Sequence, residues 1–393
     1  MSHPEEAVMR VLTIVMCAFM ILPAVASGRT WYVKPDSTGD APTIQAAIDS
    51  AAASDTVLVS AGVYNEPAQS HEFGPSMLIM KSGVTLVGEA GRYSNTLDAE
   101  STGRVILCPM LASQVTVEGF QIRGGVAFET APSADNGAGI LCRGSSARIR
   151  NCEFVDNHSN QGGAISFFSS GDSSSIVDCA FYDNSALDRG GAVYNYWHTA
   201  RLTRCLFVNN TAGSGGGGAV YGQHASLAVQ YCDFLANSAP GSGGALCCYE
   251  SSPSVNYSTF YYNNAVSGTI TCKSNSSPQV STTIVAGSTV GPGLACTDGT
   301  CSPILLCCDI YGNAGGDYTG CIADQFAVDG NFSADPLFCD IWNGDFTLES
   351  CSPCLPGNNP YGAPPGCGSH ESGCGCGEAT KPVTWGSIKA LYR

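Results

Sequence analysis

Two short motifs alternate along the middle of this chain at intervals of about 26 residues, and that repeat limits the possible folds more than any other feature. The first reads C-x-F-x-x-N. It occurs at Cys152-Glu-Phe154…Asn157, Cys179-Ala-Phe181…Asn184, Cys205-Leu-Phe207…Asn210 and Cys232-Asp-Phe234…Asn237. Ser258-Thr-Phe260…Asn263 and a degraded Cys308-Asp-Ile310…Asn313 continue it. The second reads G-G-A-[IVL], at Gly162 to Ile165, Gly190 to Val193, Gly217 to Val220 and Gly243 to Leu246.

Within each beat the apolar residues lie two apart, so they share one face of a short strand. A unit of two or three such strands has no helix to cover it and cannot bury its apolar face alone. Stacked coils can, with each strand pairing to its copy about 4.8 Å above and below. The expected fold is therefore all-β: a right-handed parallel β-helix of about ten coils, with a short N-terminal capping helix and an irregular Cys-rich tail. Stacking sets like residue on like residue. It predicts an inner column of Cys152, Cys179, Cys205 and Cys232, a phenylalanine column beside it, and an asparagine column of Asn157, Asn184, Asn210 and Asn237 whose amides bond from coil to coil.

The flanks agree with a solenoid. Thr43-Ile44-Gln-Ala-Ala47-Ile48 followed by Ala51 has helical spacing, and a helix there would cover the first coil's apolar end and unpaired backbone. Thr56 to Val59, Gly62 to Glu66, Met77 to Met80, Val84 to Val87, Val105 to Leu107 and Val115 to Ile122 read as strands. The stretch from Pro42 (P-T-I-Q-A-A-I-D-S-A, then D-T-V-L-V and G-V-Y-N-E) resembles the start of right-handed parallel β-helix proteins of the pectate-lyase type. The alternation of Phe154-x-x-Asn157 with Gly162-Gly-Ala-Ile165 is similar to the paired motifs of the polymorphic outer membrane protein repeat. Asp335-Pro-Leu-Phe338, Gly344 to Leu348 and Ser352-Pro353 resemble the closing coil of secreted β-helix proteins. These resemblances span about Thr30 to Pro353, and they specify fold far more closely than function.

Three segments follow: a signal peptide over 1–26, with Met9 as an alternative start; a β-helix domain over 27–350; and a Cys/Gly/Pro-rich tail over 351–393. Val11 to Ala26 is an apolar run too short for a comfortable membrane span, and it ends in Ala24-Val25-Ala26, an A-x-A cleavage pattern. Its removal takes Cys17 and leaves an even number of the 21 cysteines. The expected location is secreted or cell-surface, with no transmembrane segment after cleavage. No strand pattern of a membrane β-barrel follows residue 350. Lys and Arg number 17 against 33 Asp and Glu, a formal charge of −16, which argues against a nucleic-acid partner.

The resemblance implies that any enzymatic site lies on the outer face of one sheet. The galacturonase type would show N-T-D, D-D, G-H-G and R-I-K motifs. The first three are absent, and Arg148-Ile149-Arg150 only faintly matches the last. No catalytic residue, metal ligand or cofactor is assigned. Taking Val193, Val220 and Leu246 as inward, alternation turns Tyr194, Tyr221 and Cys247 outward, with Tyr196, Gln223 and Tyr249 in the next column and Trp197, His198, His224 and Glu250 just beyond. Outward aromatics beside His and Glu suit a sugar-binding strip, because ring faces match pyranose faces and polar groups take hydroxyls. Ordinary cross-strand packing of good strand formers produces the same pattern.

The inner cysteines read as buried thiols or as a disulfide ladder, since stacked positions are close enough to bridge but parallel Cβ directions make the required torsion awkward. Cys248, Cys272 and Cys296 form a second column with the same ambiguity. In the tail, Cys351, Cys354, Cys367, Cys374 and Cys376 are disulfide candidates, and Cys367, His370, Cys374 and Cys376 could alternatively hold zinc. The sequence points first to an exported, noncatalytic surface or extracellular β-helix that binds a glycan or another surface, comparable to an adhesin passenger. A polysaccharide lyase or glycoside hydrolase acting on an acidic polysaccharide is the alternative, and a purely structural spacer the third.

Overall fold

The computed structural model describes residues 28–128, 136–168, 173–359 and 366–377. The signal segment and the last stretch, Thr384 to Arg393, lie outside them. The chain winds as a parallel β-solenoid with three long sheets of eleven, ten and nine strands, plus a four-stranded strip on one corner. The eleven-stranded sheet runs from Thr30–Val33 to Ile304–Leu306, the ten-stranded sheet from Gly62–Tyr64 to Asp309–Tyr311, and the nine-stranded sheet from Ser76–Ile79 to Leu294–Cys296. The strand expected over Val115 to Ile122 is two strands, Val115–Glu118 and Gln121–Arg123, because Gly119 turns the corner at φ 81°.

Columns form as the repeat demands. Phe154, Phe181, Phe207, Phe234 and Phe260 stack with ring centroids 4.9, 4.6, 4.7 and 4.4 Å apart, all fully buried. At the following corner each buried asparagine donates from Nδ2 to the Oδ1 of the next: Asn157 to Asn184 at 3.0 Å, Asn184 to Asn210 at 3.0 Å, Asn210 to Asn237 at 2.9 Å, Asn237 to Asn263 at 2.9 Å. Each Oδ1 also accepts the backbone N–H of the asparagine below, so the ladder satisfies the corner's buried backbone as well. Cys152, Cys179, Cys205 and Cys232 are buried thiols that donate to backbone carbonyls, with no bridge between them.

Each corner also needs one residue in the left-handed region. Arg204, Tyr231 and Tyr257 take that role between the eleven- and ten-stranded sheets, and Trp197, His224 and Glu250 between the nine- and eleven-stranded sheets. None is glycine, so the turns are invisible to a search for turn residues.

The helix Ile44–Ser50 seats Ile44, Ala47 and Ile48 against the first coil. Its Gln45 also closes a sheet edge: Gln45 Nε2 donates to the Ile79 carbonyl at 3.2 Å and Oε1 accepts the Ile79 N–H at 2.8 Å. At the opposite end Gln325 does the same for the eleven-stranded sheet, accepting from Leu305 N at 2.8 Å and donating to the Pro303 carbonyl at 2.9 Å. In both places a side-chain amide occupies the position of the missing next strand.

The stretch that resembles a closing coil, Asp335 to Leu348, joins the tail instead of a further rung, in a small mixed sheet of Phe338–Asp340, Asp345–Glu349 and Ser372–Cys374. It folds back along the ten-stranded sheet, seating Ile341 and Phe346 on Ala180, Tyr182, Val208 and Leu235. Disulfides join Cys339 to Cys374, Cys351 to Cys376, and Cys296 to Cys321. Two of the five tail candidates differ from expectation: Cys354 and Cys367 are buried thiols, donating to the Asp309 carboxylate at 3.1 Å and the Cys307 carbonyl at 2.9 Å. Cys296 departs from the Cys248 and Cys272 column because Cys321 lies within bonding reach of it.

Candidate functional site

An open groove of about 860 Å³ runs across the strands on the outer face of the eleven-stranded sheet. Its wall is the left-handed corner column Trp197, His224 and Glu250, with φ of 51°, 49° and 46°. A residue in that conformation swings its side chain away from the core, and stacking of coils puts three of them in a row. Trp197 is 52% exposed, and its ring lies on His224 at 4.4 Å and 18°. His224 Nδ1 meets Glu250 Oε2 at 2.9 Å, and the edges of Tyr196 and Tyr249 approach His224 at 6.2 and 5.9 Å. The floor carries Arg148, Ser175, Arg201 and Ala228, with Gln114, Ser226 and Ser254 around them.

The aromatic strip expected from the sequence divides here. Trp197, His224 and Glu250 form the groove wall, while Tyr196 and Tyr249 are half-buried behind it. Tyr194 and Tyr221 do point outward, yet they are only 2% and 3% exposed, so neither offers a ring face to a ligand. The cover comes from the loops ahead of the G-G-A beats. Arg189 lies over the Tyr221 ring at 5.4 Å, Tyr194 Oη donates to Gln223 Oε1 at 3.1 Å, and Cys247 packs in the same small cluster. A Cβ on Gly162 would come within 3.1 Å of the Tyr194 Cβ, and one on Gly217 within 3.0 Å of the Tyr221 Cβ. Burial pushes the Tyr194 hydroxyl up to about 12. His198 is also out of reach: it is 4% exposed, its ring stacks on Phe167 at 5.0 Å, and its Nε2 pairs with Ser174 Oγ at 2.9 Å.

The groove residues the sequence reading passed over are the two arginines. Arg150 of the R-I-R triplet pairs with Glu118 at 2.6 Å, whereas Arg148 faces the groove. The signal was in the repeat itself: Arg148, Ser175 and Arg201 occupy the same position of successive units. Chemically, the groove offers a flat aromatic plate, a His–Glu pair, two cations and several hydroxyls, all opening to solvent.

A zinc set of Cys367, His370, Cys374 and Cys376 does not form. Cys374 and Cys376 are in disulfides and His370 Nε2 bonds Asp233 Oδ2 at 2.8 Å. The grouping of potential metal ligands among the described residues is Glu349, Cys351 and Cys376, whose two sulfurs are bonded to each other.

Against known families, residues 111–331 match the model of the right handed beta helix region. No curated protein matches the sequence. Among solved structures, a pectin methylesterase from carrot aligns with a TM-score of 0.36 at 13% identity, covering 78% of this chain and 89% of the other. The A-module of the mannuronan C-5 epimerase AlgE6 from Azotobacter vinelandii aligns with a TM-score of 0.26 at 16% identity, covering 75% and 94%.

Proposed function

The chain belongs to the right handed beta helix family, whose model spans more than half of it, and from that premise we propose that it is an exported, noncatalytic β-helix that binds a glycan in the groove on its eleven-stranded sheet. The observation that carries this reading is the half-exposed Trp197 ring, stacked on His224 at the edge of a polar groove. Sugar binding needs an apolar plate for a pyranose face with hydrogen-bonding groups beside it, and both are present. The apolar segment ending in Ala24-Val25-Ala26 supports a secreted or cell-surface location. In that setting the solenoid is a rigid presenter of its groove, as in an adhesin.

A glycan array followed by calorimetry on the hits tests the reading. Binding that is lost on replacing Trp197 supports it. An array without a single hit sinks it and leaves the structural spacer.

The His224–Glu250 pair favours a second reading, a lyase or hydrolase acting on an acidic polysaccharide. A carboxylate on Nδ1 fixes the imidazole tautomer and leaves Nε2 to exchange a proton. Release of oligosaccharides from acidic polysaccharides, abolished by His224→Ala, would replace the noncatalytic reading with this one.

A further inference from the structure

The register of the eleven-stranded sheet makes the charge on the groove floor periodic. Along one outward column Thr116 pairs with Arg148, Arg148 with Ser175, Ser175 with Arg201, Arg201 with Ala228 and Ala228 with Ser254. Cations therefore occupy alternate rungs, with neutral residues between and beyond them. At about 4.8 Å per rung the two arginine positions are about 10 Å apart along the solenoid axis, which is the length of one disaccharide in an extended pyranose chain.

Both side chains are exposed and free of any hydrogen bond or ion pair with a described residue. The other arginines among the described residues hold a carboxylate, a carbonyl oxygen or an aromatic ring, as Arg123 holds Asp98, Arg92 the Asp178 carbonyl and Arg143 the rings of Phe73 and Phe168. In a chain of net charge −16, two uncompensated guanidiniums in one groove mark a place for an anion. Guanidinium forks match carboxylate and sulfate alike.

Resting on the reading of the groove as a glycan site, we propose that its ligand is an anionic polysaccharide lying along the solenoid axis, with acidic groups once per disaccharide meeting Arg148 and Arg201 in turn. A polymer charged on every sugar would set its intervening carboxylates over Ser175 and Ala228, where no cation answers them, and Glu250 borders the same stretch. A neutral polymer would leave both guanidiniums unmatched. Trp197 lies on the coil of Arg201, so a sugar held by its charge at that rung also has a ring to stack on.

The experiment is calorimetric titration of the full chain with size-matched oligosaccharides of hyaluronan, which is charged by carboxylate on alternate sugars, of κ-carrageenan, which carries one sulfate per disaccharide and no carboxylate, of polygalacturonate, which is charged on every sugar, and of a neutral β-glucan. Hyaluronan or κ-carrageenan should bind most tightly, the comparison of the two separating carboxylate from sulfate as the recognised group. Arg148→Gln and Arg201→Gln should each weaken that binding by about tenfold, and the double variant should lose most of its salt dependence. The decisive variant moves a charge without removing one: Arg201→Ser with Ala228→Arg sets the cations three rungs apart, and binding should fall as in Arg201→Gln. Unchanged affinity of that variant, or equal binding of polygalacturonate, overturns the spacing. Preferred binding of the neutral glucan overturns the anionic ligand while leaving a glycan site in place, and only failure of all four probes counts against the glycan site itself. Melting temperatures equal to wild type confirm that the exposed substitutions leave the fold alone.

Discussion

A tryptophan held at φ 51° gives up about 1 to 2 kcal/mol to the clash of its Cβ with its own carbonyl, because only glycine and, to a degree, asparagine enter that region freely. Trp197 accepts that penalty at the groove edge, which separates its role in the fold from its role in binding. Trp197→Asn keeps a residue suited to the turn and removes the ring. Its melting temperature should equal or exceed wild type while glycan affinity drops at least tenfold, as read by thermal unfolding and calorimetry on one sample. The buried asparagines behave oppositely. Asn210→Ala deprives the Asn184 amide and backbone N–H of their acceptor and takes one donor each from the Asn237 Oδ1 and the Phe181 carbonyl. Unsatisfied buried groups cost about 1 to 3 kcal/mol each, so a loss of about 3 kcal/mol or more is expected in denaturant unfolding. These columns were legible in the sequence because a 26-residue period fixes what stacks on what. The state of Tyr194 and Tyr221 was not: alternation gives the direction of a side chain, and whether a loop then covers it depends on Arg189 and the G-G corners above.

At the scale of the element, the weak point of any solenoid is the open edge at each end, where a strand has donors and acceptors but no neighbour. The helical spacing of Ile44, Ala47 and Ile48 announces a cap, yet periodicity describes only its apolar face. Gln45 lies on that helix as an unremarkable good helix former, and only the fold reveals that its amide stands in for a peptide group of the missing rung. Gln325 sits in a short 3-10 turn, Gly320–Gln325, with no sequence pattern at all. Leucine preserves the bulk at either position and removes both hydrogen bonds. Gln45→Leu should therefore destabilise by about 1 to 3 kcal/mol. Hydrogen exchange should quicken at the Ile79 amide before the amides of inner coils, and Gln325→Leu should do likewise at Leu305. A uniform rise in exchange along the whole chain would instead mean that the edges do not open independently of the body.

For the molecule as a whole, the tail determines whether the ten-stranded sheet shows its apolar outer face to water, and two titrating groups bear on its docking. Burial pushes the Asp309 carboxyl up to about 8, with Asp317 and Asp335 adding to the rise and the Ala334 N–H and Cys354 thiol opposing it. The Asp233 carboxylate raises His370 against the opposing effect of burial, with Asp345 contributing. Both groups therefore bind protons more tightly in the docked state than in the open chain, where Asp titrates near 3.8 and His near 6.5. The sign follows: Asp309's contribution is complete below the open-chain value and declines as pH rises towards 8, and His370's declines as pH rises past 6.5 through its raised value. Docking should thus be firmest in mild acid and loosest in alkali. Across pH 6 to 9, exchange at the Gly368 and Ser369 amides, which donate to the Thr282 carbonyl and the Thr259 hydroxyl of the solenoid, should accelerate once corrected for its intrinsic pH dependence, and binding of an apolar dye should increase as Tyr182, Val208 and Leu235 lose Ile341 and Phe346. Asp309→Asn keeps the carboxamide neutral at every pH, so it should raise the melting temperature at pH 8 and flatten most of the dependence, with His370→Gln removing the remainder. Disulfides Cys339–Cys374 and Cys351–Cys376 hold the tail to itself, so what opens is the seat on the solenoid and the tail's own small sheet stays closed. An exchange profile flat from pH 6 to 9 in the unmodified chain would show that the apolar contacts alone hold the tail down.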